Sequence, residues 1–210
     1  GPDANIYGLE PNYGCCTANM HQGWPKFAQH LWMKTQDGGL VCAAYAPSRV
    51  TTEIKGVRVT VTLDTGYPFR DTMTFTVEAA EPVAFPLWLR TPAGAIPALA
   101  SNGQIEGKAG AGYFSLRNRW EGKTDITLTV RMPVHTERRF NDAVTIRRGP
   151  LVFSLQPGEY WKYLRGEKPH ADWEVFPTQP WNYALSPASL EAAASAVEER
   201  PIGDVPFSPA

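Results

Sequence analysis

The chain has little that staples it and little that binds by charge. Three cysteines, an odd number, supply no disulfide framework for 210 residues. The net charge is −1, with acidic and basic residues dispersed and no basic stripe, so nucleic acid is not an expected partner. Pro, Arg or Thr breaks the longest apolar stretches within about ten residues, short of a bilayer span, and no membrane partner is expected. Gly1-Pro2-Asp3 has neither the basic start nor the apolar core of a secretory leader. A mature secreted chain lacks one too, so the compartment stays open. No internal repeat or low-complexity tract occurs. Apolar side chains are plentiful: 43% of residues are hydrophobic, enough for a packed core in one large or two small domains.

Helical periodicity is confined mainly to one stretch. Met20, Trp24, Phe27 and Leu31 recur at spacings of four, three and four, which places them on one helix face. Thr17 or Asn19 can cap its start. Pro25 should kink the helix or restart it at a new first turn. Asp37-Gly38-Gly39 is expected to end it. An Ala-rich stretch at 189–198 predicts a second, short helix.

After Gly39 the texture turns to strands. Residues 40–45 form a short apolar run. Val57, Val59, Val61 and Leu63 alternate with polar residues, as do Met73, Phe75 and Val77. Strands are further predicted at 85–90, where Pro86 argues for an edge or a bulge, and at 113–116, 126–132, 144–146 and 151–155. Short alternating strands divided by Gly, Pro and Asp turns predict a mainly β fold, an antiparallel sandwich of jelly-roll type. From about Gly158 the regularity fades into aromatic- and proline-rich sequence.

Two of the cysteines, Cys15 and Cys16, are adjacent. A disulfide between neighbours is strained, because its Cα atoms must sit roughly 4.4–6.8 Å apart in a specific torsion. The pair therefore points to metal ligation or thiolate chemistry. Glu10 and His21 lie nearby in sequence, but at no standard zinc spacing. Cys42 reads as a small core hydrophobe. His30, His135 and His170 read as surface or capped residues.

Together these features resemble glycoside hydrolase family 127, the β-L-arabinofuranosidase-like enzymes. The resemblance is carried by Gly14-Cys15-Cys16-Thr17-Ala18-Asn19, the helix to Met33, Asp37-Gly38-Gly39-Leu40, Arg147-Arg148-Gly149-Pro150-Leu151-Val152 and Pro180-Trp181-Asn182-Tyr183. It spans roughly residues 8–186. It implies an order in which an (α/α)₆ barrel precedes β-sandwich domains, so that the helix resembles the last barrel helix. The expected division is then 1–38 as a barrel remnant, 39–157 as the sandwich, and 158–210 as a C-terminal segment approaching a second sandwich. The resemblance also implies zinc, with Cys15 and Cys16 as metal ligands and Cys15 as the nucleophile of a retaining hydrolase. The family's acid/base and its remaining zinc ligands lie further upstream and have no counterpart here. The chain alone is accordingly expected to be inactive, and to hold zinc only if those ligands are supplied.

The aromatic residues suggest another role. Trp161, Trp173 and Trp181, with Trp120, Tyr160 and Tyr163, are candidates for a carbohydrate surface, because sugar C–H faces pack on aromatic planes. The bland reading is that such rings fill cores and seams. Two functions stand side by side. One is the C-terminal part of a zinc- and cysteine-dependent furanosidase, most plausibly for a β-L-arabinofuranoside. The other is a non-catalytic β-sandwich module that binds carbohydrate or a protein partner. Self-association through the surface that would face the absent barrel is expected as well.

Overall fold

A computed structural model describes residues 6–7, 19–102, 105–168, 170–193 and 196–203. The fold is mainly β, and among the described residues no sheet closes on itself. Two compact units emerge. The larger comprises Gln29–Phe153 with Glu191–Ala210, and the smaller Gly1–Ala28 with Ser154–Leu190.

The larger unit is built on two 19-residue strands, β6 (Thr72–Arg90) and β9 (Tyr113–Arg131), which run antiparallel along their full length. The sequence predicts each as two short strands with a break between. The break is a bend instead. Ala79 pairs with Gly122 and Val83 with Trp120, so Ala80, Glu81 and Pro82 stand opposite Glu121 alone. Extra residues on one side curve a strand pair, and Pro82, with no N–H to offer the ladder, is exposed at the bend.

The bend gives the sheet two halves. Beside residues 73–79 of β6 lie β5 (Val57–Thr65) and then β4 (Ser48–Ile54). Beside 87–89 lie β3 (Leu40–Cys42) and then β2 (Trp32–Lys34). On the far side, β9 pairs with β7 (Ile96–Ser101) and β8 (Glu106–Ala109). Inward residues keep one parity through the bend: Met73, Phe75, Val77 and Ala79, then Val83, Phe85, Leu87 and Leu89. Both halves thus contribute to one core, joined by Val59, Val61, Leu63, Leu116, Ile126 and Leu128. Trp32, from one half, meets Phe75, from the other, edge to face at 6.3 Å.

Two expectations need correction. The sheet is mixed, not purely antiparallel, because β3 runs parallel to β6. The chain passes through β4 and β5 before returning as the second half of β6, and this return brings the two strands into the same direction. Pro86 lies inside a long strand and not on an outer one, paired with Arg117 of β9 on one side. It precedes the first β3 partnership, Leu40 with Leu87, and so stands where no β3 residue asks for its missing N–H. Gly39 passes it closely enough that a Cβ there would overlap the Pro86 carbonyl oxygen.

The predicted helix to Met33 is also cut short. Helix α1 (Gly23–Gln29) holds Pro25 in its first turn and buries none of its residues. Trp24 is 74% exposed and Phe27 42%. Leu31 and Trp32 already belong to the larger unit, where Trp32 Nε1 donates to Ser48 Oγ at 3.0 Å. Asp37-Gly38-Gly39 therefore does not stop a helix; it turns the β2–β3 hairpin, with Gly38 at φ +79°. A hydrogen bond from the Thr35 hydroxyl holds the Asp37 carboxyl below its ordinary range. Desolvation opposes this, and Trp88 Nε1 (3.2 Å) and Arg117 add to it.

A small sheet completes the larger unit: β10 (Val134–Arg138), β11 (Val144–Arg148) and β12 (Leu151–Val152) in that order. The smaller unit holds a sheet that the sequence leaves irregular. Its order is β1 (Ile6–Tyr7), β14 (Asp172–Pro177), β13 (Glu159–Arg165), all antiparallel. Helix α2 (Pro187–Ala193) overlaps the first half of the predicted Ala-rich stretch and starts two residues before it.

Candidate functional site

Cys15 and Cys16 lie outside the described residues. Cys42 is the free cysteine among the described ones. It is fully buried in the core, and its Sγ donates to the Ala44 carbonyl at 3.3 Å. Burial pushes its thiol up to about 12, so it is neither a ready thiolate nor a ligand. Among the described residues no group of three or more His, Cys, Asp or Glu side chains is placed to hold a metal ion. His135 Nε2 stands 3.5 Å from Glu137, which also receives Arg147 at 3.2 Å. The His170 backbone N–H caps the Glu167 carbonyl at 2.8 Å.

The sheet of the smaller unit gathers aromatic side chains. In its register Trp161 pairs with Val175, Tyr163 with Trp173, and Trp173 with Tyr7. Strand residues two apart point to one side, so Tyr7, Trp161, Tyr163 and Trp173 share one face. Tyr163 and Trp173 meet edge to face at 5.8 Å, and Tyr7 and Trp161 at 6.0 Å with tilted planes. Trp161 Nε1 donates to Glu159 Oε2 at 2.8 Å, and Lys168 Nζ sits 5.4 Å from the Trp173 ring centre. Trp161, Tyr163 and Tyr7 are exposed. An exposed set of rings with polar groups at its margin has the chemistry of a sugar platform: flat apolar planes beside hydrogen-bonding edges.

Of the candidates from sequence, Trp161 and Trp173 are thus brought together. Trp181 is exposed by 66% in an irregular segment, with no described ring contact to them. Tyr160 falls on the opposite face with Phe176, 6.4 Å away, and Lys162 there pairs with Glu174 at 2.8 Å, an ion pair that raises the lysine's pKa. Trp120 is 1% exposed, and its Nε1 donates to the Phe85 carbonyl at 2.9 Å inside the core, so it cannot meet a ligand. Tyr7 and Lys168 were not singled out in the sequence. The alternation Glu159, Trp161, Tyr163 carries a period-two signal, but the two-residue strand around Tyr7 carries none.

Comparison with known proteins gives a consistent picture. The family model "Beta-L-arabinofuranosidase, GH127 middle domain" matches residues 39–132. A solved glycoside hydrolase family 127 β-L-arabinofuranosidase from Geobacillus stearothermophilus T6 is similar at TM-score 0.60 and 25% identity, covering 67% of this chain and 24% of that one. A solved structure described as a glycoside hydrolase aligns at TM-score 0.59 and 25% identity, covering 67% and 25%. A solved family 127 β-arabinofuranosidase aligns at TM-score 0.57 and 15% identity, covering 79% and 32%. The chain therefore spans about a quarter to a third of the length of these structures. No curated protein matches it.

Proposed function

From the premise that this chain belongs to glycoside hydrolase family 127, through the middle domain at residues 39–132, we infer that it serves as part of a retaining furanosidase. The substrate class we assign is a β-L-arabinofuranoside. The observation that carries this reading is the middle-domain match, reinforced by the similarity to the Geobacillus enzyme. The chain by itself is inactive in this reading, and turnover belongs to the whole hydrolase.

The chemistry rests on the adjacent cysteines. An ordinary cysteine is mostly protonated at neutral pH. Zinc held by Cys15 and Cys16 would keep both as thiolates. Two thiolates are fewer than the three protein ligands a catalytic zinc takes, and no described cluster supplies the rest. Cys15 is assigned the nucleophilic role: its sulfur bonds to the anomeric carbon as the leaving alcohol departs, and water then displaces the sulfur. Two inversions return the starting configuration. A carboxylic acid must protonate the leaving oxygen, and none in this chain is assigned to that role.

A second reading draws on the aromatic face of the smaller unit. Tyr7, Trp161, Tyr163 and Trp173 form the kind of surface on which a glycan docks without being cleaved, with Trp181 as a further contact in the same unit.

The test of the first reading is hydrolysis of 4-nitrophenyl β-L-arabinofuranoside by the full polypeptide that carries this chain, with the anomer of the product followed by NMR. Retention of configuration is expected, with at least about a thousandfold loss in kcat for Cys15→Ser. An active Cys15→Ser enzyme, or no furanosidase activity in the parent, would overturn it.

A further inference from the structure

The segment 196–203 returns to the larger unit and inserts one carboxylate between two arginines. Glu199 Oε1 lies 2.8 Å from Arg148 Nη2, and Glu199 Oε2 lies 3.6 Å from Arg70 Nε. Each oxygen thus faces one guanidinium, the arrangement by which arginines grip carboxylates. The two arginines are unequally placed. The Arg148 side chain is only 11% exposed, and the same Nη2 that meets Glu199 also donates to Asp71 Oδ1 at 2.9 Å. Its position therefore does not depend on Glu199. The Glu199 side chain is 42% exposed, so water can solvate its carboxylate when it leaves, while Asp71 stays on Arg148.

Beside this clamp is a cavity of about 290 Å³, lined by Phe69, Leu151, Phe153 and Ile202, by the two arginines, and by the 197–203 segment, including Glu198. Apolar side chains next to two guanidiniums, Arg148 held by Asp71 and Arg70 by the Arg200 carbonyl, suit a ring that bears one carboxylate. We propose that Arg70, Arg148 and this cavity form a binding site for a uronic-acid sugar, which Glu199 occupies as a built-in substitute until the ligand displaces it. The choice of a sugar acid over other carboxylates rests on the glycoside-hydrolase reading above; the clamp itself does not. The site stands apart from the cysteine chemistry and is read by binding, not turnover.

The test is isothermal titration of the whole chain with D-glucuronate and, separately, with neutral D-glucose. Glu199→Ala should bind glucuronate at least tenfold more tightly than the parent and should not bind glucose. Arg70→Ala added to Glu199→Ala should erase the gain, while Cys15→Ser should leave it unchanged, so this result is separable from the fate of the furanosidase reading. Glu199→Gln keeps the side-chain shape and serves the same comparison if the alanine variant does not fold. Glucuronate affinity no better in either variant than in the parent, or equal affinity for glucose, would overturn the proposal.

Discussion

Arg148 donates through Nη2 to Asp71 Oδ1 at 2.9 Å, which ties the end of β11 to the loop that enters β6. The bond joins the small three-stranded sheet to the large folded one within the same unit. Arg148 is a buried residue, so its charge must be met from inside the protein. Asp71→Ala should therefore cost about 2–3 kcal/mol, read as a lower urea midpoint with unchanged slope. A loss under about 0.5 kcal/mol would mean that Glu199 alone satisfies the arginine.

Gly39 gives a sharper test of packing. A Cβ there would meet the backbone of Pro86, which cannot swing aside. Gly39→Ala should destabilise by about 2–3 kcal/mol. Gly23, in α1, has nothing within 4 Å of the corresponding point, and Gly23→Ala should be neutral or mildly stabilising. Equal effects of the two substitutions in urea unfolding would contradict the close approach of the β2–β3 turn to β6.

Phe27 and Phe75 should behave as opposites. Phe75 is fully buried at the centre of the core, and Phe75→Ala should cost about 3–5 kcal/mol. Phe27 lies on a helix that buries nothing, and Phe27→Ala should cost under about 1 kcal/mol. A large loss at Phe27 would show that α1 is covered in solution.

Cys42 should make stability depend on alkaline pH. Its folded-state pKa of about 12 exceeds the ordinary value of 9.0, so the folded chain holds that proton more tightly than the unfolded chain does. The resulting stabilisation is fully present below pH 9.0 and is lost as pH climbs towards about 12. Between those values the parent should lose more stability than Cys42→Ala, measured by urea midpoints at each pH. Parallel losses in the two proteins would contradict the buried placement of this thiol.

The fold was legible where one face of a strand is buried. Val57, Val59, Val61 and Leu63 write the period of two directly into the chain, as do Met73, Phe75 and Val77. The bend at Ala80-Glu81-Pro82 was not legible, because a glutamate followed by proline has the look of a turn that ends a strand. β7 and β8 were missed for a related reason: Pro97 and Gly107 depress the strand signal, while pairing with β9 supplies the ladder. Trp32 was drawn into a helix by the spacing that ends at Leu31, although tertiary packing against Phe75 decides its place. At the candidate site, composition marked Trp161 and Trp173, but only the β13–β14 register sets them on one face and leaves Tyr160 on the other. Trp120 and Trp161 look alike in sequence. One is sealed inside the core and the other faces water, a difference made by pairing partners distant in the chain.

In the proposed metal-dependent furanosidase the adjacent cysteines are the working sulfurs. Zinc content per polypeptide, measured on the hydrolase proposed to carry this chain, tests this most directly. One zinc per polypeptide in the parent, lost in both Cys15→Ser and Cys16→Ser, is the predicted result. Absence of zinc from the parent, or full retention in both variants, would contradict it.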